Sequence, residues 1–384
     1  MPITIRRPLR QAFPVLFAGV IGSLALATPA FAHVKWFAPY VVGTAPRPVF
    51  EILTNPWYWL AIALVLAFFV ATVLVEHTRY GEATLGGLDW ASAPLWARGD
   101  DFMRAVVGAF FVAIFAVGGV YLTPDLKTPF ELVSWLQLLI AACVFSRRTM
   151  PLAAGGILLL WFIALRDYDF YHLLDYLALG IGVAGYLLLA SFPNSKWYVR
   201  RFEVLRWGVA IALMWSSLEK FAYPEWFYPL VEERPFLTFG MPRDVFIPMA
   251  GVAEFTMGFG LLWTPLVRRF SALALLVIFF TAVYPFGRVD LVGHALIMGT
   301  LVLIATDGTR RAEIRPAVGR GLALIPVALL AAFLIVGSAY WGLHAVFYGR
   351  EGLAPGELTT HTFDPERPHA SPAGAEELPE TPTQ

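Results

Sequence analysis

Ten mainly apolar stretches decide what this chain can fold into. They lie near 57–75, 103–123, 130–146, 150–166, 172–192, 204–222, 245–264, 269–286, 290–306 and 321–344. A bilayer-spanning helix needs roughly 17–25 such residues, so each stretch has the length of a span, the fourth only just. In lipid every backbone group must be satisfied within the segment, which leaves a helix as the solution for stretches of this kind. Composition agrees: 58% of residues are hydrophobic, 15% are charged and the mean hydropathy is +0.65. A soluble domain carries about 45–50% apolar and about 25% charged residues. The expected class is an all-α polytopic membrane protein of about ten transmembrane helices, two four-helix bundle units plus flanking helices. The 28 basic residues cancel the 28 acidic ones, which argues against a nucleic-acid binder. Cys143 is the single cysteine, so no intramolecular disulfide or multi-cysteine metal site is expected.

Residues 1–32 read as an export signal. Arg6, Arg7 and Arg10 precede an apolar run, and Ala30-Phe31-Ala32 forms an A-x-A cleavage site. Cleavage leaves His33 first and places it outside the cytoplasm. The inner turns then hold Arg147 and Arg148; Lys196, Arg200 and Arg201; Arg268 and Arg269; and Arg310, Arg311, Arg315 and Arg320. The opposite loops hold Asp125, Asp167, Asp169, Glu225, Glu232, Glu233 and Asp290. This is the asymmetry of a chain with basic loops inside and both termini outside. The expected location is a bacterial inner membrane, with periplasmic termini. Beyond Tyr348, residues 349–384 are rich in proline and acid, so a disordered external tail is expected.

Residues 101–192 and 203–306 read as two copies of one four-helix unit. Arg104 and Arg206 lie near the start of each, a double arginine sits midway, and an acid with a histidine opens each last helix: Asp169 with His172, Asp290 with His294. Both copies begin on the same side, so the relation is a parallel duplication. Residues 33–100 supply an external segment, a first span and an inner loop, and 321–348 a last span.

Charge within an apolar span is costly, so each case needs a reason. Glu254 lies mid-helix and requires a proton or a cation; Lys220 and Arg288 are the candidate cations. His294 follows Asp290 by four residues and shares its helix face. Together these groups form a proton-exchanging cluster of the kind a quinone site needs, one group taking a proton and another hydrogen-bonding an oxygen. A structural ion-pair network is the other reading of the same residues. Gln137 takes the place of Glu254 in the first copy, which marks that copy as degenerate. The loop from 223 to 243 carries Trp226, Phe227, Tyr228, Phe236 and Phe239, expected at headgroup level, and its prolines break any continuous helix. A terminal His33 offers an amino group and an imidazole, a pair suited to copper, with a second histidine required from elsewhere outside.

Residues 203–306 resemble the DoxX/DoxD-like family of four-helix membrane proteins. The resemblance rests on Arg206, on Ser217-Leu218-Glu219-Lys220-Phe221 and on Gly240-Met241-Pro242. It continues in Ala253-Glu254-Phe255-Thr256-Met257-Gly258, Arg268-Arg269 and His294. Ser217 and Phe221 replace the family's usual glycine and leucine. Members of the family include the quinone-reducing subunit of a thiosulfate oxidoreductase, so the resemblance implies quinone-linked redox chemistry with Glu254, Lys220, Arg206 and His294 as the functional set. The resulting expectation is a quinone-linked oxidoreductase component. Glu254, Lys220 and His294 are its catalytic candidates, Arg206, Arg288, Asp290 and Trp226 contact the quinone, and electrons come from a partner protein or a small substrate. The alternative is a non-catalytic small-molecule or metal transporter, or an assembly factor, that uses the same buried polar cluster, with copper handling through His33 as one version of it.

Overall fold

The structure is a computed structural model that describes residues 34–38, 40–310, 321–354 and 360–361. The expected signal, His33, the turn at 311–320 and most of the tail lie outside the described residues. The chain is helical almost throughout. Among the described residues, four helices are long and apolar enough to cross a membrane: Pro56–Glu76, Phe170–Ala190, Pro265–Ala305 and Leu324–Tyr348. The molecule is therefore an all-α protein built to associate with a lipid bilayer.

A short helix α1 (Val49–Thr54) leads to α2 (Pro56–Glu76), which starts where Asn55 accepts a hydrogen bond from the Trp57 amide and Pro56 takes the first helical position. The stretch expected as an inner loop is instead a helix, α3 (Arg79–Ala97), capped by Thr78. Its apolar positions are interspersed with polar ones, which hid it from a search for long apolar runs. The first unit follows as α4 (Gly99–Val117), α5 (Glu131–Cys143), α6 (Met150–Ala164) and α7 (Phe170–Ala190). α4 stops short of the expected span, and residues 118–130 form a buried loop that two Gln137 hydrogen bonds, to the Val120 and Tyr121 carbonyls, hold in place. Asp169 caps α7 by accepting from the His172 amide; it is not the partner of the His172 ring.

The second unit starts with α8 (Arg201–Ser217), a one-turn continuation α9 (Glu219–Ala222) and helical turns that include α10 (Tyr228–Glu233). Prolines do break this connection as expected, but Trp226 and Phe227 are buried in the core and only Phe236 and Phe239 are broadly exposed. Next come α11 (Arg243–Gly260) and α12 (Pro265–Ala305). α12 contains the two expected spans joined end to end. Pro285 removes a helical donor and Gly287 sits at φ 71°, ψ −150°, a conformation only glycine adopts freely, so the helix breaks there. α13 (Gly321–Tyr348) closes the bundle.

The two units meet twice, each time first helix against last. α7 packs along α8, and α4 packs along the second half of α12. Glycine permits both approaches. A Cβ on Gly182 would lie 2.8 Å from the Gly208 Cα, and one on Gly299 would lie 2.4 Å from the Val106 side chain.

Ahead of α1, the segment Val34–Trp36 is a buried turn, and β1 (Tyr40–Val41) pairs antiparallel with β2 (Thr360–His361) from beyond α13. A further bridge joins Thr44 to Gly352. The start of the tail expected to be disordered is thus paired to the N-terminal segment. Backbone pairing explains this, since two residues of ladder leave no hydrophobic signature in the sequence. The arginines expected in a solvated turn, Arg268 and Arg269, are also fully buried.

Gly182→Ala should cost about 1–3 kcal/mol, the usual penalty for overpacking a tight contact. Gly155→Ala, where a Cβ meets nothing within 4 Å, should be neutral or gain roughly 0.5–1 kcal/mol of helix propensity. Melting curves of the two variants in one detergent compare them directly.

Candidate functional site

A cavity of about 1050 Å3, including the space at its mouth, lies where the two units meet. Its walls are mainly apolar, with Phe110 and Phe111 from α4, Leu179 and Val183 from α7, Leu213 from α8 and Phe279 from α12. Val34 and Trp36 of the N-terminal segment also line it. Polar groups enter from both units: Asp175 from the first, and Glu219, Lys220, Glu254 and His294 from the second.

Lys220 Nζ donates to Glu254 Oε2 at 2.6 Å, and both side chains are almost wholly buried. Asp290 is 0% exposed and lies 3.1 Å from His294 Nδ1, one helical turn away. Neither Asp290 oxygen has a hydrogen bond among the described residues. His294 Nδ1 has no hydrogen bond among the described residues either, so the pair is in contact without one. The imidazole is held between the Trp36 ring, centroids 4.5 Å apart, and the Phe279 ring at 4.6 Å. That packing requires Gly293, whose Cβ position would fall 2.0 Å from the Trp36 ring.

The third polar group is one that sequence patterning missed. Lys35 is 3% exposed and pairs with Asp175 of α7 and, at 2.7 Å, with Glu219 of α9. Burial pushes its pKa down, but the two carboxylates outweigh burial and hold it above the ordinary lysine range. Lys35 therefore stays cationic at neutral pH. Asp175 also accepts from the Trp215 indole at 2.8 Å. Nothing in the sequence marked Lys35, because it precedes the first span by some twenty residues and reads as part of a solvated segment.

The first unit carries a polar centre of its own. Asp125 accepts from the Trp36 indole at 3.0 Å, from Thr123 at 2.6 Å and from the Tyr176 hydroxyl. His172 Nε2 lies 3.8 Å from Asp125 and 3.3 Å from the Tyr40 hydroxyl. The first unit too brings an acid near a histidine. Its acid comes from the loop between α4 and α5, so a search of helix faces did not pair it with His172.

Of the site residues expected from sequence, Glu254, Lys220 and His294 line one cavity, and Asp290 backs His294. Trp226 lies alongside, stacked on Tyr223 and 5.9 Å from Lys35 Nζ. Arg206 is elsewhere. It binds Asp307 at 2.5 Å, and thirteen residues of helix, roughly 20 Å, separate it from Glu219. Arg288 is exposed and does not line the cavity. Arg206 was expected there from the family resemblance and Arg288 as a candidate cation for Glu254, and neither lines the cavity. His33 lies outside the described residues, and among the described residues no group of three or more His, Cys, Asp or Glu is placed to hold a metal ion. No family model, curated protein or solved structure matches this chain.

Replacing one member of a buried pair strands the other, at a cost of about 3–5 kcal/mol, whereas replacing both by apolar groups is often neutral. Lys220→Met should therefore lower stability more than Lys220→Met combined with Glu254→Leu. Chemical unfolding of the two variants beside the parent reads this difference.

Proposed function

We propose that this chain is the quinone-binding component of a membrane oxidoreductase. The observation that carries the reading is a mainly apolar cavity into which a lysine–carboxylate pair and an acid-backed histidine both face. Such a pocket fits an amphiphile with an apolar body and polar oxygens, the usual design of small-molecule sites. Apolar walls suit a ring and tail, while Lys220 and His294 suit carbonyl oxygens, so the residues present fit the group. A bound quinone supplies an acceptor of two electrons and two protons.

The chain's own residues do the rest. Lys220 donates a hydrogen bond toward the ligand from a position fixed by Glu254. Glu254 holds or releases a proton at a carboxylate oxygen in reach of Lys220. Asp290 keeps His294 in one orientation, and Trp36 and Phe279 keep the imidazole between them, so that Nε2 exchanges the second proton. Trp36 and Val34 close part of the cavity and limit water. Electrons enter from a redox partner protein or a small substrate. The resemblance of residues 203–306 to the DoxX-like family points the same way.

The same proposal has ten membrane crossings, with both termini on the periplasmic side of a bacterial inner membrane. Segments at all ten expected positions are helical, although only four among the described residues meet the length and hydropathy of a span unaided. The reciprocal first-to-last packing of the two units supports a parallel duplication.

The test is mass spectrometry of lipids that co-purify with the protein in mild detergent. Near-stoichiometric quinone is expected for the parent, with at least tenfold depletion in Glu254→Gln and in His294→Gln. Quinone no higher than in an unrelated membrane protein purified alongside would end this reading.

A further inference from the structure

A second site lies on the outside of the bundle, where α7 crosses α8. The close approach of Gly182 and Gly208 leaves a groove of about 760 Å3 on the surface. Its floor is apolar, with Ile181 and Leu189 on one side and Val204 and Ile211 on the other. Trp197 and Trp207 flank it, and Arg200 stands at the end where the chain turns from α7 into α8.

The charge at that end is not balanced. Several other basic groups on the same side of the bundle have acids of the protein itself, whereas the exposed Arg79 and Arg98 have no salt bridge among the described residues. Arg104 pairs with Asp101, Arg201 with Asp100, Arg206 and Arg268 with Asp307, and Arg269 and Arg310 with Asp89. Arg147, Arg148, Lys196 and Arg200 are exposed, and no salt bridge to any of them occurs among the described residues. Lys196 and Arg200 instead stand over the Trp197 ring, at 5.5 and 5.4 Å. The one acid of the groove, Glu203, lies in the first turn of α8.

We propose that this groove is a binding site for one anionic phospholipid, with an acyl chain along the α7–α8 crossing and its phosphate against Lys196 and Arg200. Apolar floor, tryptophan flanks and a cationic end are the three parts such a lipid requires, in the order in which it presents them. Tryptophan sits at headgroup depth, and basic pockets between helices on the inner side of a membrane take acidic headgroups. A zwitterionic lipid fills the floor equally well but gains nothing from the unbalanced cations. A soluble phosphate gains from the cations but leaves the floor exposed.

The experiment is native mass spectrometry of the full-length protein in detergent, titrated with phosphatidylglycerol, phosphatidylcholine or soluble glycerol phosphate. Melting temperature is followed in parallel. Phosphatidylglycerol should bind and raise the melting temperature, and the other two should not. Each cation near the headgroup contributes about a fivefold change, so Lys196→Gln with Arg200→Gln should weaken phosphatidylglycerol by roughly 25-fold. Glu203→Gln should tighten it, and Ile211→Trp, which fills the floor, should weaken it. All these positions are at least partly exposed, so the lipid-free melting temperature serves as the folding control. The proposal fails if phosphatidylcholine binds as well as phosphatidylglycerol, if the double variant binds like the parent, or if glycerol phosphate competes fully.

Discussion

One buried lysine joins the two halves of this molecule. Lys35 meets Asp175 from the first unit and Glu219 from the second, with almost no water in reach of any of the three. Two carboxylates facing one another in an apolar bundle repel strongly, because the low local dielectric magnifies charge. A cation between them turns that repulsion into a bridge. Each partner belongs to a different element, so the bridge forms only when α7, α9 and the N-terminal segment have all reached their places. Burying such a group is expensive unless its partners are complete, which makes the arrangement specific as well as cohesive.

The segment that carries Lys35 organises the surroundings too. Trp36, the next residue, spans the gap between the two units: its indole N–H reaches Asp125 and its ring lies on His294. Tyr40 extends the contact to His172, and β1 is then covered by β2 from the far end of the chain. The cavity thus has walls from helices that run the depth of the bundle and one wall from a short stretch outside them. Long helices give the walls rigidity, and the short stretch brings in an ammonium and an indole that no helix supplies.

Charge is handled differently at the opposite end. Arg206, Arg268 and Arg269 are buried and fan around Asp307 and Asp89, with the Asp307 and Thr309 carbonyls taking further bonds. These guanidiniums offer several donors in a fixed plane, so Arg269 joins Asp89 of α3 to the Asp307 carbonyl just beyond α12, while Arg206 and Arg268 hold the Asp307 carboxylate. They act as a clasp. The exposed Lys196 and Arg200 beside α8 have no salt bridge among the described residues.

Much of this architecture was legible in the residues. The ten apolar stretches located the long helices, because hydrocarbon demands a minimum apolar length that few other structures need. Glu254, Lys220, His294 and Asp290 stood out because charge within such a stretch is rare, and they do gather at one cavity. The amphipathic α3, the buried arginines, the Asp125 centre and the ordered start of the tail did not stand out. Each depends on a partner distant in the chain, and no local pattern records it. Lys35 is the clearest case: its sequence neighbourhood is that of an ordinary external segment, and only the packing of two units around it makes it the join between them. The sequence by itself determined class, helix positions and which buried charges needed explaining, since these follow from the transfer of each segment out of water. Tertiary structure alone decided which charge meets which, because Coulombic pairing depends on distances between elements that the order of residues leaves open.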